Sequence, residues 1–441
     1  MTVASAGRQA DEAATAAIAE LTDGPHPGVI VDSPPGAGKT RLVTRAAVNL
    51  ARADERVMVI AQTNQQVDDL ARRMAEQAPE LHIGRYSANT YRPSPLVDHP
   101  AITVARQLSD LPHAHITIAT AAMWLYAGDR RWPWAIVDEA YQMRSDMLLR
   151  IAPLFRGGRG LFVGDPGQLD PFSIVETDRW IGLTWDPMQS AVAAMWRNNP
   201  NLPVHTVPYS WRLSPSAAGP VAAAFYPFTG FRPATDPTDR QMWFQTNGFG
   251  RPVDQVIETA ARTGWALYEL PARYALRTDA EATAAVAAVA ARLLQRGAVC
   301  RSERAPDGAQ VDARRVAIGA AHRDQVAAIR QALVEAGVDG IRVDTANRLQ
   351  GSEYDVLVVL HPLSGRRDAT TFHLESGRLC VLTSRHRHAC IVVARAGIQN
   401  LLDEHPSSDP VHLNTPAKFP DGWEANQAML SHLMHHRIQA G

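Results

Sequence analysis

The chain has 441 residues, of which 46% are hydrophobic and 20% charged, with 44 basic side chains against 45 acidic ones. This length predicts two or three domains, and this composition excludes a chain that is disordered throughout. The net charge of −1 excludes nucleic-acid binding through bulk positive charge, so any polyanion site must be a local patch. Three cysteines are too few for a disulfide framework and favour a reducing cytoplasm, and no run of 18 apolar residues predicts a membrane span.

Short apolar, β-branched segments alternate with helix-like segments along the chain. The predicted strands lie at 28–32, 57–62, 116–120, 134–137 and 160–165, and then at 204–210, 265–270, 315–321, 355–361 and 389–395. Continuous apolar runs of this length are typical of strands buried on both faces, and their alternation with helices indicates parallel sheets. The sequence therefore predicts the α/β class with two tandem domains, at 1–200 and 201–441, and short insertions at about 84–112 and 231–255.

A phosphate-binding loop is predicted at 33–40, SPPGAGKT, because this segment follows a strand and opens a helix. Its glycines allow backbone N–H groups to turn inward around phosphate oxygens, and the helix N-terminus adds its dipole. Lys39 is expected to reach the β- and γ-phosphates, and the Thr40 hydroxyl to coordinate Mg²⁺. Ser33 stands where the motif usually has its first glycine.

Two acids follow the predicted strand at 134–137. Asp138 can hold Mg²⁺, and Glu139 can orient or deprotonate an attacking water. Two acids after a strand are, on their own, more typical of a solvated helix start, but after a phosphate loop they favour catalysis. The next strand leads into GDPGQL at 164–169. On its residue types alone, this segment is interpreted as a Gly-Pro turn.

In their order along the chain, these motifs resemble those of superfamily 1 helicases, in the branch that contains the nonsense-mediated-decay helicases. SPPGAGKT resembles GPPGTGKT, DEAYQ (138–142) matches DEAxQ, and GDPGQLDP (164–171) matches GDPxQLPP. Further similar segments lie at 61–74, 209–227, 315–333, 343–359 and 380–393. The resemblance implies two tandem RecA-like domains of the P-loop NTPase kind, ATP and Mg²⁺ as cofactors, and single-stranded DNA or RNA as the partner, while protein partners stay unknown.

The resemblance also implies roles for individual residues. The implied catalytic residues are Lys39, Asp138, Glu139, Gln168, Arg212 and Arg385. The implied ATP- and Mg²⁺-binding residues are Gln9, Pro35, Gly36, Ala37, Gly38, Lys39, Thr40, Asp138 and Glu353. Among these, Arg212 and Arg385 are expected to reach the γ-phosphate from the second domain as arginine fingers, and Gln168 to sense it. Glu353 is expected to bind the ribose, Gln9 to read the adenine, and Thr40 with Asp138 to hold the metal ion.

Small polar side chains after predicted strands resemble the family's positions that contact the nucleic-acid backbone. They are Thr63, Asn64, Thr120 and Thr345. Such groups bind phosphates without reading bases, which a chain of near-zero net charge can still do. Stacking aromatics are also expected on this surface; the candidates are Tyr86, Tyr91, Trp124 and Trp211. For each of these four, packing in a core or interface is the favoured interpretation.

Two other groups of histidines and cysteines carry weaker signals. The stretch from Arg385 to His388, between Cys380 and Cys390, lacks the ligand spacing of a zinc site and predicts no metal. The histidines at 432, 435 and 436 are interpreted as part of a solvated tail helix.

The sequence therefore predicts an ATP-dependent helicase or translocase on single-stranded DNA or RNA, for which the family branch implies 5′-to-3′ movement. Departures from the family pattern, such as Ser384 and the His386–Arg387 pair, remove no phosphate-reading group. The reduced insertions favour an alternative, namely an ATP-dependent clamp or remodelling switch that separates no strands. A third alternative is an ATPase without a nucleic-acid partner.

Overall fold

Two parallel β-sheets organise the part of the chain that the computed structural model describes, which is residues 3–167, 189–275, 278–406 and 421–440. The first sheet consists of β1 (Gly28–Asp32), β2 (Val57–Ala61), β3 (Ile83–Tyr86), β4 (Ile102–Ala105), β5 (Ile116–Thr120), β6 (Trp134–Val137), β7 (Arg159–Gly164) and β8 (Val204–Thr206). Its strand order is β4-β3-β5-β2-β6-β7-β1-β8, and every pairing is parallel. The accompanying helices are α1 (Val3–Asp23), α2 (Lys39–Arg52), α3 (Asn64–Gln77), α4 (Ala121–Trp124), α5 (Ser145–Ile151) and α6 (Ala191–Asn198).

The second half contains another parallel sheet and two small ones. Its strands are β9 (Tyr209–Ser210), β10 (Arg232–Pro233), β11 (Gln241–Phe244), β12 (Trp265–Leu270), β13 (Ala298–Ser302), β14 (Ala305–Gln310), β15 (Val316–Ala320), β16 (Arg342–Thr345), β17 (Tyr354–Leu360), β18 (His386–Arg395) and β19 (Arg437–Gln439). The main sheet has the order β16-β15-β17-β18-β12-β19; β11, β13 and β14 form an antiparallel sheet, and β9 pairs with β10.

Helices cover both faces of this second main sheet. They are α7 (Pro215–Phe225), α8 (Pro252–Thr263), α9 (Ala280–Gln295), α10 (Arg323–Glu335), α11 (Ala346–Leu349), α12 (Thr371–Leu374), α13 (Ser376–Thr383), α14 (Ile398–Glu404) and α15 (Gly422–Met434). Along β17, Leu357 and Val359 face one core, whereas Val356 and Val358 face the other. This alternation explains the unbroken apolar runs, because each strand must supply side chains to two layers. The predicted α/β class with two tandem RecA-like sheets is confirmed.

Three segments differ from the prediction. Residues 204–206 were assigned to the second set of strands, but β8 pairs with β1 at the edge of the first sheet. The expected insertion at 84–112 contains β4, which extends the first sheet beyond β3. The expected irregular segment at 231–255 contains β11 and the start of α8. These strands are short and lie at edges, where fewer apolar side chains are needed. Among the described residues, no helix is long and apolar enough to cross a membrane.

Candidate nucleotide site and nucleic-acid face

The loop between β1 and α2 forms a cradle for an anion. Gly36 and Gly38 have φ angles of +73° and +89°, in the left-handed region that favours glycine. Helix α2 begins at Lys39, so its free N–H groups and dipole face the same loop. Ser33 has no positive φ, and its backbone N–H donates to the Gly164 carbonyl at 2.8 Å, so a serine fits where the family has glycine.

Acidic side chains surround Lys39 at the carboxyl ends of β6 and β7. Lys39 Nζ lies 3.4 Å from Asp165 Oδ2 and 3.6 Å from Glu139 Oε1. Burial, reinforced by the charge of Glu139, raises the pKa of Asp138 to about 7, although Lys39 opposes the shift. Glu139 has a φ of +50°, and its Oε2 is buried without a hydrogen-bond partner.

This surplus of carboxylates suits a metal–nucleotide complex. Asp138, Glu139 and Asp165 lie around the single ammonium group of Lys39, and a divalent cation would lower the free-energy cost of keeping the buried Asp138 ionised. Asp138 and Thr40, which is the second residue of α2, are the groups that would hold Mg²⁺. The residues present therefore fit ATP with Mg²⁺.

The segment that follows β9 brings Arg212 against the phosphate loop. The Trp211 N–H donates to the Gly36 carbonyl at 2.9 Å, and a Cβ at Gly36 would lie only 2.4 Å from Arg212 Cβ. The Arg212 guanidinium is buried; its Nε lies 3.4 Å from Glu353 Oε2, and its Nη1 donates to the Ser384 carbonyl at 3.5 Å. Burial and the nearby charge of Arg385 lower the pKa of Arg212 to about 10.

Arg385 completes a group of cationic side chains beside this loop. It is 1% exposed, its Nη2 donates to Ser384 Oγ at 3.2 Å, and its Nε is buried without a hydrogen-bond partner. Glu353 is shared, because Arg304 Nη1 also lies 2.7 Å from its Oε1. Arg387 Nη1 lies 3.4 Å from the same oxygen, so Glu353 pairs with three arginines, whereas Arg385 forms no ion pair among the described residues and would suit an additional anion.

Two further residues at this junction carry no role in the sequence prediction. Tyr226, at the end of α7, donates its hydroxyl to Asp165 Oδ1 at 2.6 Å and so links the two halves of the chain. Arg240 Nη2 donates to the Trp211 carbonyl at 2.6 Å, and its Nε donates to Glu303 Oε2 at 3.2 Å. Although burial raises the pKa of Glu303, Arg240 and then Arg387 hold it at about 2. Tyr226 lies within the family-like segment 209–227, so the sequence could have indicated it. Arg240 lies in a segment without a motif, and no sequence pattern indicates it.

The remaining predicted nucleotide-site residues are placed as follows. Gln9 lies exposed on α1, and its Oε1 accepts a hydrogen bond from the Tyr209 hydroxyl. Pro35 and Ala37 lie in the phosphate loop, and the Pro35 carbonyl accepts a hydrogen bond from Ser210 Oγ at 2.5 Å. Gln168 lies outside the described residues.

The four predicted nucleic-acid residues follow the carboxyl ends of parallel strands. Thr63 and Asn64 follow β2, Thr120 ends the neighbouring β5, and Thr345 ends β16. Thr63 caps α3, since its Oγ1 accepts from the Gln66 N–H at 3.3 Å. Asn64 is exposed, and its Oδ1 accepts from Arg85 Nη2 at 2.7 Å.

The candidate stacking aromatics pack internally, as the favoured interpretation has it. Tyr86 and Trp124 belong to the core beneath the first sheet, and Trp124 Nε1 donates to the Val59 carbonyl at 3.1 Å. Tyr91 donates its hydroxyl to Asp68 Oδ2 at 2.6 Å and carries the guanidinium of Arg85 over its ring. Trp211 packs in a small cluster with residues of α1.

Comparison with known proteins gives two family matches. Residues 9–177 match an AAA domain, and residues 272–397 match a second AAA domain. No curated protein sequence matches the chain. Among solved structures, the chain is similar to arterivirus nonstructural protein 10 (helicase), with 12% identity and a TM-score of 0.42 over 88% of this chain and 61% of that one.

A second solved structure, the DUF1998 helicase MrfA bound to DNA, is similar at 12% identity and a TM-score of 0.48, over 91% of this chain and 52% of that one. The chain thus spans between half and two thirds of the length of these proteins.

The two family matches fall one on each parallel sheet and in the order of the helicase motifs. Each of the two parallel sheets therefore carries a match to an AAA domain, and the phosphate loop lies in the first match. In their order along the chain, the motifs resemble those of superfamily 1 helicases.

Proposed function

We propose that the chain hydrolyses ATP in the cleft between its two domains and uses the cycle to move along single-stranded nucleic acid. The observation that carries this proposal is the contact between Arg212 and Gly36, with Arg385 beside it. A phosphate bound by the loop would lie next to cationic side chains that the first domain does not supply. Binding and hydrolysis would therefore change the attraction between the domains.

The first domain supplies the groups that bind and activate. When bound, Mg²⁺–ATP supplies the phosphoanhydride bond and a metal ion on its phosphates. Lys39 exchanges its carboxylate partners for phosphate oxygens, and Thr40 with Asp138 holds the metal ion. Glu139, whose Oε2 is buried and free of a hydrogen-bond partner, orients or deprotonates the attacking water.

Side chains of the second domain, together with Gln168 and the N-terminal helix α1, complete the nucleotide site. Arg212 and Arg385 stabilise the charge that develops on the transferred phosphoryl group. Glu353, released from Arg212, binds the ribose, and Gln168 senses the γ-phosphate. Gln9 reads the adenine from α1, beside the Tyr209 hydroxyl.

The nucleic-acid strand is proposed to cross the carboxyl ends of both sheets, over Thr63, Asn64, Thr120 and Thr345. The buried Arg85 supports this assignment, because its hydrogen bond occupies the Asn64 side-chain oxygen and leaves the amide N–H₂ to donate outward. Arg85 is itself fixed by Asp68 Oδ1 at 3.0 Å and by the Tyr86 carbonyl at 2.8 Å. Such donors bind phosphate oxygens and are indifferent to base identity.

Movement is proposed to run 5′ to 3′, on the family resemblance, and the setting is proposed to be cytoplasmic. An ATP-dependent clamp that separates no strands is the second candidate, and the short β9–β11 segment, where the family has larger insertions, favours it.

An ATPase assay with single-stranded DNA, single-stranded RNA and no polymer tests the proposal. Stimulation by either polymer, lost in Lys39→Ala, is the expected result. Turnover without any stimulation would overturn the nucleic-acid assignment, and stimulation without strand displacement or directional movement would favour the clamp.

A further inference from the structure

Cys300, Asp355 and His388 come together inside the second domain, although the first and the last are 88 positions apart in the sequence. They lie on β13, β17 and β18, and all three are buried. One donor atom of each, the thiol sulfur, a carboxylate oxygen and a ring nitrogen, lies within 4.8 Å of the other two. The proposed nucleotide cycle uses none of these side chains.

The contact between His388 and Asp355 is an ion pair only if the imidazole ring carries two protons. His388 Nε2 lies 2.9 Å from the Arg301 carbonyl, which can only accept, so this nitrogen carries a proton. In the neutral ring, Nδ1 then presents a lone pair. It lies 3.1 Å from Asp355 Oδ1, yet it makes no hydrogen bond of acceptable geometry. Two lone pairs at this distance repel each other unless a cation or a second ring proton lies between them.

We propose that these three side chains bind a Zn²⁺-class metal ion through Cys300 Sγ, Asp355 Oδ1 and His388 Nδ1. Zinc bonds of about 2.0–2.1 Å to nitrogen and oxygen separate tetrahedral ligands by roughly 3.3 Å, close to the nitrogen–oxygen distance present here. A sulfur, nitrogen and oxygen donor set suits Zn²⁺ and Co²⁺ better than Mg²⁺ or Ca²⁺.

The surroundings are those of a metal ligand set. The Arg301 carbonyl fixes the His388 tautomer, and Arg315 Nε donates to the other oxygen of Asp355, so both ligands are oriented by outer groups. Burial raises the pKa of the Cys300 thiol, which therefore stays protonated without metal. Metal binding forms the thiolate and releases that proton to solvent, so affinity rises with pH.

The proposed ion would tie the small antiparallel sheet to the strand that follows the arginine motif. Next to His388, Arg387 Nη2 lies 2.6 Å from Glu303 Oε1, and Glu303 in turn pairs with Arg240. The ion is thus a structural clamp behind the group of arginines, and it takes no part in phosphoryl transfer.

The test uses full-length protein without a histidine tag, loaded with Zn²⁺ or Co²⁺. Elemental analysis after gel filtration is expected to give one tightly held Zn²⁺ per chain. The Co²⁺ form is expected to show a thiolate-to-cobalt charge-transfer absorption, which histidines elsewhere, including those near the C-terminus, cannot produce. A metal-free protein, or Co²⁺ bound without the thiolate absorption, would overturn the proposal in favour of a doubly protonated His388 paired with Asp355.

Matched cysteine variants separate the site from general effects. Cys300→Ser is expected to lose the absorption and at least tenfold in Zn²⁺ affinity. Cys390→Ser, an equally buried thiol on β18 outside the cluster, is expected to keep both. Equal behaviour of the two variants would contradict the assignment. If Cys300→Ser does not fold, the Co²⁺ spectrum of the wild type still decides, because it reports thiolate ligation directly.

Discussion

Asp138 shows how a single buried carboxyl group can be tuned for a cofactor. Its pKa is raised to about 7 by burial and by the charge of Glu139. Between pH 4 and pH 7 the folded protein therefore holds a proton on Asp138 that the unfolded chain has released. The contribution of this group to the free energy of unfolding is greatest below pH 4 and falls as the pH rises to 7. The nucleotide-free site is therefore destabilised at physiological pH, and a bound cation relieves this cost.

Asp138→Asn tests this linkage. In the absence of nucleotide, we expect the variant to be more stable than the wild type at pH 8, by up to about 4 kcal/mol from a pKa shift of roughly three units. The difference is expected to shrink towards pH 4, while ATP turnover is lost. Urea denaturation across this pH range measures the effect. A pH-independent difference would contradict the raised pKa.

Arg385→Ala tests the proposed arginine finger. Nucleotide affinity is expected to stay within a few fold, because the phosphate loop is intact, while hydrolysis falls about 1,000-fold or more. Equilibrium binding of a fluorescent nucleotide and single-turnover hydrolysis measure the two separately. Arg314→Ala, an exposed arginine of the same domain, serves as the control and is expected to change neither. Comparable losses in both properties would indicate a structural role for Arg385.

At the scale of elements, a residue between a strand and the following helix can both cap the helix and bind a ligand. Thr63 ends the turn after β2 and caps α3, and its own N–H donates to Gln66 Oε1 at 3.0 Å. The same exposed residue is proposed to bind a phosphate. Removal of the Thr63 hydroxyl is therefore expected to lower both the free energy of unfolding and the strand affinity, so the variants must separate these two effects.

Thr63→Ala combined with Asn64→Ala is expected to weaken single-strand affinity roughly 30-fold, uniformly across sequences, since about 1 kcal/mol is lost with each of two hydrogen bonds. Loss of the Thr63 cap also costs about 1 kcal/mol of stability. Asn64→Ala alone leaves the Thr63 cap intact and therefore reports on binding without the loss of the cap, whereas Thr63→Ser keeps the hydroxyl and is expected to change neither property. Fluorescence anisotropy with homopolymers of different base provides the measurement; a loss confined to one base would rule out backbone recognition.

Element by element, prediction succeeded where apolar runs were long. The strands β1, β2, β5, β12 and β17 all follow the predicted segments closely. The histidine-rich tail is helical as predicted and His435 is exposed, but the tail is not solvated throughout: α15 buries Met429 and Leu433 in the second core, and His432 packs edge-on against Trp265. The helix packs against α7 and α13, which no pattern within the tail itself predicts.

For the whole molecule, the closure of the cleft between the two domains depends on how near the second domain comes to the phosphate loop. Gly36 has no room for a side chain, because Arg212 lies within 2.4 Å of its would-be Cβ. The loop thus needs glycine there for its φ angle and for the approach of Arg212. The two domains can come into contact here only because residue 36 has no side chain to meet Arg212.

Gly36→Ala is accordingly expected to push the domains apart in the nucleotide-free protein. Dyes on Ala53 and Glu335, which are both exposed, should report a longer mean distance, and X-ray scattering a larger radius of gyration. Gly38→Ala is the control, since it imposes a similar backbone strain at φ +89° but meets no atom within 4 Å. Equal distances in the two variants would mean that the contact with Arg212 does not set the closure.

The sequence by itself determined the α/β class, the phosphate loop and its acidic partners, because these depend on residues adjacent in the chain and on strand and helix periods. Only the tertiary structure decided that Arg212 lies against Gly36, that Tyr226 and Arg240 support the junction, and that Cys300 meets Asp355 and His388. These contacts join residues far apart in sequence, and their distances follow from how strands align and sheets pack. No local pattern of residues encodes that alignment.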